Sequence, residues 1–221
     1  AALGNIAGGD FVVLWDNAYA VHALYEDAPQ VASIYAACER LGTQDNVIQF
    51  GSTSKVTFAG AGVSFMASSS NNLAAVKKHL SYQTIGPDKV NHLRHVRFLR
   101  DADTLAAHMA AHAQLIRPRF EAVLEVLETG LGDMDMGSWQ EPRGGYFISF
   151  DTQPGLAREV VRLADEAGIK LTPAGATFPY GDDPRDSNIR LAPTFPSLQE
   201  VRTAAEGFVT CVKLATLRRQ A

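Results

Sequence analysis

The sequence predicts an α/β fold in two parts, a section of a parallel sheet with helices and then a small α+β unit. In the first half, short apolar runs alternate with segments of helical spacing, which is typical of βα units. A long amphipathic segment follows, and beyond it strand and helix patterns alternate more closely. With 221 residues and 46% hydrophobic side chains, the chain is long enough to bury a core.

Residues 11–15 form a short run that is apolar on both faces, so we expect a buried parallel strand covered by helices. Such a strand needs neighbours that precede it, and we therefore expect the sequence to be the C-terminal part of a longer protein. The elements predicted after it are helix 29–41, strand 46–50, strand 60–66 and helix 71–82.

A long helix is predicted over about 103–129, with an apolar stripe at steps of three and four residues. Pro118 is expected to kink or interrupt it, because proline removes a donor and crowds the preceding turn. Ser197 and Glu200 form a capping box that opens a last helix. The intervening predictions are strand 146–150, helix 156–167, strand 169–172 and strand 188–192.

Composition excludes several function classes. Twenty Lys and Arg against 24 Asp and Glu give a net charge of −4, which argues against a nucleic-acid binder. The longest apolar run, 58–67, is too short to span a membrane. Cys38 and Cys211 show no paired spacing, and His108 with His112 lacks a third ligand, so neither a disulfide framework nor a metal site is indicated. We expect a cytoplasmic protein that binds neither membranes nor nucleic acid.

Three residues stand at or near predicted strand ends, where open α/β folds place their ligands. Lys55 follows a Gly-Ser-Thr-Ser turn and is a candidate for Schiff-base chemistry, which needs an amine that can lose its proton. Asp16 directly follows the first strand and could pair with a protonated pyridine nitrogen. Tyr19, three residues later, offers a phenol to an oxygen on the same ring.

Hydroxyls and one arginine complete the candidate site. Ser52 and Ser54, with the backbone donors of their turn, suit a phosphate group. Arg190 lies in the late strand of the second half and could bind a substrate carboxylate through two parallel hydrogen bonds. A lone acidic or basic residue is most often a turn or surface residue, so the prediction depends on finding all of these groups in this order.

These segments resemble the signature segments of fold-type-I pyridoxal-phosphate aminotransferases. Asp16-Asn-Ala-Tyr19 and Ser52-Thr-Ser-Lys55 are similar to the two cofactor segments, and Asn188-Ile-Arg190-Leu-Ala-Pro to the carboxylate-binding strand. Pro142-Arg-Gly-Gly-Tyr-Phe147 resembles the strand that opens the small domain. The stretches GSTSKVTFAGAGVSF, TIGPDKVNHLRHVRF and LTPAGATFPYGDDP resemble a distinct bacterial branch of aspartate aminotransferases.

The resemblance implies a role for each residue and an organisation for the chain. Lys55 would form the Schiff base with pyridoxal 5'-phosphate, while Asp16 holds the pyridine nitrogen and Tyr19 the 3-oxygen. Ser52 and Ser54 would bind phosphate, and Arg190 the substrate α-carboxylate. Residues 1–115 would be part of the cofactor-binding large domain and 116–221 the small C-terminal domain, joined by the long helix. The substrates would be amino acids and keto acids of the aspartate/2-oxoglutarate type, and the enzyme a homodimer.

In one respect the sequence departs from this pattern. Aminotransferases of this kind commonly carry an arginine eight residues after the lysine, and here that position is Val63.

A second cation for a dicarboxylic substrate is also needed, and Lys89 and Arg94 are the candidates. The resemblance covers only the second half of such an enzyme, so we expect this chain alone to be incomplete for activity.

Two alternatives stay open at this point. The first is a different pyridoxal-phosphate enzyme, an alanine-type transaminase or a lyase. The second is the aminotransferase-like effector domain of a bacterial transcription regulator, which would carry a DNA-binding segment upstream.

Overall fold

A computed structural model describes residues 11–220, and the described chain divides into two compact units. The first unit contains residues 11–22 and 29–110, and the second contains 23–28 and 111–220. Residues 1–10 of the predicted first domain lie outside the described residues. No helix within 11–220 combines the length and apolarity that crossing a bilayer requires.

The first unit contains a three-stranded sheet in the order β1-β2-β3. Its strands are β1 (Val13–Asp16), β2 (Val47–Ser52) and β3 (Ser64–Ser68). β1 and β2 are parallel and β2 and β3 antiparallel, with Asp16 opposite Phe50 and Ser52 opposite Ser64. The predicted parallel arrangement is therefore wrong for β3. The segment between β2 and β3 contains no crossover helix, and a short return of this kind places the next strand antiparallel.

Three helices lie wholly within the first unit. They are α1 (Ile34–Arg40), α2 (Ser70–Gln83) and α3 (Lys89–Leu99). Ser33, Ser69 and Asp88 cap their N-termini by accepting a backbone N–H from three residues ahead. The sequence analysis did not predict helix α3. Its apolar residues Val90, Leu93 and Val96 are all exposed in the described chain.

Burial of β1 differs from the expectation. Leu14 is 66% exposed and Trp15 37% exposed, so residues 11–220 do not supply the cover that the predicted burial of this strand requires. β1 pairs with β2 along one edge, and the helices of the described chain leave the face that carries Val12 and Leu14 uncovered. The apolar run indicates the β propensity of the segment. Burial of the strand depends in addition on what packs against it.

The second unit is built on the sheet β4-β5-β6, with antiparallel neighbours. The strands are β4 (Gly137–Trp139), β5 (Ile148–Thr152) and β6 (Asn188–Leu191). Helices α5 (Ala157–Glu166) and α6 (Leu198–Gln220) accompany them. The Ser197 hydroxyl accepts the Glu200 N–H at 3.3 Å, and the Glu200 carboxylate accepts the Ser197 N–H at 2.8 Å. These two bonds confirm the predicted capping box.

Helix α4 (Ala102–Leu131) is continuous through Pro118, so the expected interruption is wrong. The boundary between the two units falls within it, after residue 110. Downstream of the proline, Phe120, Leu127 and Leu131 are fully buried in the second unit. Burial of such side chains contributes about 1.5–3 kcal/mol each, enough to offset the roughly 3 kcal/mol cost of a proline in a helix.

The core of the second unit is one hydrophobic cluster. It joins α4, β5, β6, α5 and α6 through side chains such as Phe120, Phe150, Ile189 and Phe208. Phe150 packs edge-on against Phe208 with ring centroids 5.0 Å apart and stacks on Trp139 at 6.1 Å.

The predicted strand over 169–172 does not form. A Cβ placed on Gly207 of α6 would lie 2.5 Å from the Cδ1 atom of Ile169. The Ile169 side chain therefore packs directly against α6 at Gly207, where no side chain intervenes. Ile169 is half-buried, and its contact is with a helix rather than with a sheet neighbour.

Candidate active site

The candidate site of the first unit lies at the carboxyl edge of the parallel pair β1 and β2. Asp16 is the last residue of β1 and is exposed. Asn17 extends the pairing by donating its N–H to the Phe50 carbonyl at 2.9 Å. β2 ends at Ser52, and the chain then turns through Lys55, whose side chain is exposed. Parallel pairing thus brings Asp16 and the lysine turn to the same edge of the sheet.

The turn after β2 is fixed by its own hydrogen bonds. The Val56 and Thr57 N–H groups both donate to the Thr53 carbonyl, at 2.9 and 2.8 Å. Ser52 donates its hydroxyl to the Ser54 hydroxyl at 2.7 Å and accepts the Ser54 N–H at 3.0 Å. The structure therefore places the two serines predicted to bind phosphate in direct contact.

A glycine keeps this turn compact. A Cβ on Gly62 would lie 2.4 Å from the Ser54 Oγ and 2.7 Å from the Ser54 backbone nitrogen, so no larger residue fits without movement. Next to it, Val63 donates its N–H to the Thr53 hydroxyl at 2.8 Å and accepts the Thr53 N–H at 2.9 Å. Val63 thus contributes backbone bonds at the position where the resembled family commonly has an arginine.

Histidines of α3 and α4 form hydrogen bonds to the turn after β2. The His95 ring contacts the hydroxyls of Thr53 and Thr57 through Nε2, each at 2.9 Å, and its Nδ1 donates to the Asn91 carbonyl at 2.9 Å. The His108 Nε2 donates to the Val56 carbonyl at 2.7 Å. Sequence analysis missed both roles, because the threonines and carbonyls involved lie about 40 residues or more away in the chain.

His22 contacts both of the segments predicted to bind the cofactor, residues 16–19 and 52–55. It is buried, and its Nε2 donates to the Lys55 main-chain carbonyl at 3.0 Å. Its ring packs edge-on against the Tyr19 ring with centroids 5.3 Å apart. Burial lowers the pKa of His22 below its usual value near 6.5, and this effect exceeds the opposing influence of the Lys55 and Tyr19 backbone carbonyls. His22 is therefore a neutral donor at neutral pH.

Arg190 lies in the second unit, on β6, directly opposite Ser149 of β5. Its guanidinium carbon sits 4.4 Å from the centroid of the Phe147 ring, a cation–π arrangement that holds the guanidinium plane. Its Nε atom is buried and, among residues 11–220, has no hydrogen-bond partner. A buried donor without an acceptor is costly, so this atom is suited to a ligand oxygen.

A cavity of about 160 Å³ adjoins Arg190 in the second unit. Its lining is mainly apolar and includes Ile169, Leu171 and Phe208. Lys170 and Thr172 are polar lining residues beside Arg190, so the pocket combines apolar walls with a few polar groups that can orient a small ligand.

A buried carboxylate shapes the loop before β6. Asp183 accepts the backbone N–H groups of Arg185, Ser187 and Asn188 at 2.8–2.9 Å. Burial alone would raise its pKa, but the three backbone donors and the charge of Arg185 outweigh it, and the pKa of Asp183 lies below its usual value near 3.8. Asp183 thereby fixes the entry of the strand that carries Arg190.

We expect Asp183→Asn to lower the free energy of unfolding at neutral pH by about 1–3 kcal/mol, because it weakens charged bonds to buried donors. Since the folded pKa is depressed, the stabilisation is present above pH 3.8 and is lost as pH falls through the folded pKa. Urea unfolding across pH 2–7 checks this. Asp182→Asn, at the exposed neighbouring carboxylate, is the control, and equal losses in both variants would contradict the role of Asp183.

The two remaining candidates, Lys89 and Arg94, both lie on α3. Lys89 and Arg94 are both exposed, and the Arg94 guanidinium lies 5.9 Å from the Phe58 ring centroid. The structure therefore collects Asp16, Tyr19, Ser52, Ser54 and Lys55 in the first unit, with Lys89 and Arg94 on its surface. Arg190 belongs to the second unit.

The fold is that of the fold-type-I aminotransferases, namely the C-terminal part of the large domain followed by the small domain. A crystal structure of an aspartate transaminase from Corynebacterium glutamicum superposes with a TM-score of 0.93 at 45% identity, covering 97% of this chain and 51% of that chain. The model of the aspartate aminotransferase family matches residues 1–221, and the chain belongs to that family.

Relatives at the sequence level agree. A Mycolicibacterium smegmatis protein assigned as an aminotransferase is 50% identical over 209 residues, which cover 95% of this chain and 49% of the relative. An aspartate aminotransferase of Corynebacterium glutamicum is 45% identical over 215 residues, covering 97% and 50%. The chain thus spans about half the length of the curated relatives it matches.

Proposed function

We propose that the protein is a pyridoxal-phosphate-dependent aminotransferase of the aspartate/2-oxoglutarate type. The observation that carries the proposal is the placement of Asp16 and the Lys55 turn at one edge of the parallel pair β1 and β2. A carboxylate and an exposed amine at such an edge are the two groups that a pyridine aldehyde cofactor requires, one for its ring nitrogen and one for its carbonyl carbon.

The residues of the first unit fit this cofactor. The hydroxyls of Ser52 and Ser54 are joined by a hydrogen bond, and Gly62 packs closely against Ser54. Hydroxyls grouped in a tight turn are suited to a phosphate. Tyr19 is half-buried three residues beyond Asp16, within the same turn region. We propose that these residues, with Lys55 as the covalent attachment point, hold pyridoxal 5'-phosphate.

When bound, the cofactor supplies an electron sink for the carbon from which a proton is removed. Lys55 would hold the cofactor through its Nζ, and the same atom would move the substrate α-proton. Asp16 would favour a proton on the ring nitrogen by its negative charge, and Tyr19 would donate its O–H to the ring oxygen. Each role uses an atom at the same edge of the sheet.

Arg190 is proposed to bind the substrate α-carboxylate. Support comes from its buried Nε, which lacks an acceptor in the described chain, and from the Phe147 ring that holds its plane. The net reaction moves an amino group from aspartate to 2-oxoglutarate in two half-reactions, with a keto acid released before the second substrate binds. For the second carboxylate of these substrates, Lys89 and Arg94 are the proposed cations.

We also propose that the protein acts as a homodimer in the cytoplasm. The homodimer is the assembly that the resemblance to fold-type-I aminotransferases implies. Both cysteines are free, in keeping with a reducing compartment. Residues 1–115 as part of a cofactor-binding domain and 116–221 as a small domain belong to the same proposal.

The test is an assay of the full-length protein with pyridoxal 5'-phosphate, aspartate and 2-oxoglutarate, following glutamate formation. We expect Arg190→Lys to raise the KM for aspartate roughly 10- to 150-fold, since it keeps the charge but loses the planar fork worth about 1.5–3 kcal/mol. Arg162→Lys, on the surface of α5, is the control. An equal loss with an amine that lacks a carboxylate would contradict the role of Arg190, and absence of glutamate in the unmodified protein would contradict the substrate class.

A further inference from the structure

His22 is a buried polar residue outside the set of groups assigned to the cofactor. It is only 4% exposed, although Ala20 and Val21 directly before it are exposed. Its ring contacts two of the proposed cofactor residues at once, the Tyr19 ring by its edge and the Lys55 main chain by a hydrogen bond at 3.0 Å.

The hydrogen bond joins segments that are 33 residues apart. The local bonds of the lysine turn run from Val56 and Thr57 back to Thr53, and they fix the turn internally. They do not orient the turn relative to β1 and Tyr19. The His22 bond comes from the β1 side, so it ties the backbone of Lys55 to the segment that carries Asp16 and Tyr19.

The direction of this bond is determined by chemistry. A carbonyl oxygen only accepts, so the His22 Nε2 carries the hydrogen. The ring is buried and the bond is partly buried, so loss of the donor removes a hydrogen bond that joins the two segments. A small displacement of a catalytic amine can cost roughly 100-fold in rate even when the change is distant from the reacting atoms.

We propose that His22 is a positioning residue for Lys55, holding the lysine turn at a fixed distance from Asp16 and Tyr19 through its Nε2–H bond to the Lys55 carbonyl. The inference rests on the proposed function. It assigns His22 no contact with substrate or cofactor, and its effect passes through the Lys55 main chain and the Tyr19 ring.

Two variants separate the bond from the bulk of the ring. His22→Gln keeps an N–H donor at a similar reach, whereas His22→Phe keeps an aromatic ring and removes the donor. His79→Phe, at an exposed histidine on α2, is the matched control. All are made in the full-length protein.

The first readout is amide hydrogen exchange of residues 53–57 in the protein without cofactor. We expect faster exchange there in His22→Phe, with His22→Gln and His79→Phe close to the unmodified protein. The second readout is the half-reaction with aspartate, in which His22→Phe should lower kcat roughly 10- to 100-fold with little change in KM. His22→Gln should recover most of that loss.

The proposal is overturned if His22→Phe leaves both exchange and kcat unchanged. It is also overturned if His22→Gln is impaired as much as His22→Phe, with equal loss of unfolding free energy, since that pattern is a packing effect. Borohydride trapping of pyridoxyl on Lys55 in the unmodified protein tests the proposed function separately. If no adduct forms there, the function fails while the exchange measurement still decides the role of His22.

Discussion

Lys55→Ala is expected to abolish covalent attachment of the cofactor and to lower the transamination rate by at least about 10²–10⁴-fold, the usual contribution of a general acid–base group. The variant removes the only side chain that the proposed mechanism uses both for attachment and for proton movement. Lys55 is exposed within a turn whose backbone is held by Thr53 and His22, so we expect the truncation to leave that turn intact.

The measurement is borohydride reduction followed by mass mapping of the pyridoxyl adduct. In the unmodified full-length protein we expect the adduct on Lys55 alone among the six lysines of this sequence. Lys77→Ala, at an exposed lysine of α2, is the control and should keep both adduct and activity. An adduct that maps to Lys89 or Lys170 would overturn the assignment.

Asp16→Asn is expected to slow α-proton removal by roughly 10²–10³-fold while the cofactor still binds. The amide keeps the shape of the carboxylate but removes the charge that favours a protonated ring nitrogen, and loss of one such electrostatic contact costs about this much. Because Asp16 is exposed at the end of β1, the change should leave the free energy of unfolding nearly unaltered.

Single-turnover kinetics with aspartate, with cofactor content measured in parallel, check this prediction. Asp133→Asn, in an exposed turn of the second unit, serves as the matched charge control. If Asp16→Asn transaminates at the unmodified rate, another group holds the ring nitrogen and the proposed role of Asp16 is wrong.

Local signals in the sequence were sufficient where one segment determines its own conformation. The capping box of Ser197 and Glu200 forms as predicted, and helices α2 and α5 begin and end within a few residues of the predicted bounds. Lys55 and Asp16 were expected next to strand ends, and the structure has β1 end at Asp16 and β2 end three residues before Lys55. Their chemical roles stay predictions.

The sequence analysis missed residues whose roles depend on hydrogen-bond partners distant in the chain. His22, His95 and His108 each bond a group at least 33 residues away, and no local pattern marks a histidine as a support for a turn. Asp183 was likewise not singled out, because its three backbone donors come together only in the folded loop. The three histidines hydrogen-bond to the segment 53–57, and Asp183 holds the loop before β6.

By itself, the sequence determined the class of the fold, the family resemblance and the residues proposed to carry the chemistry, because these depend on residue type and on spacing along the chain. Only the tertiary structure decided that β3 runs antiparallel, that β1 is exposed in the described chain and that helix α4 passes unbroken through Pro118. Only it showed that His22 bonds the Lys55 backbone and that Arg190 keeps a buried donor without an acceptor in the described chain. The physical reason is that pairing direction, burial and hydrogen-bond satisfaction depend on which groups folding brings together, and a local sequence pattern does not specify those partners.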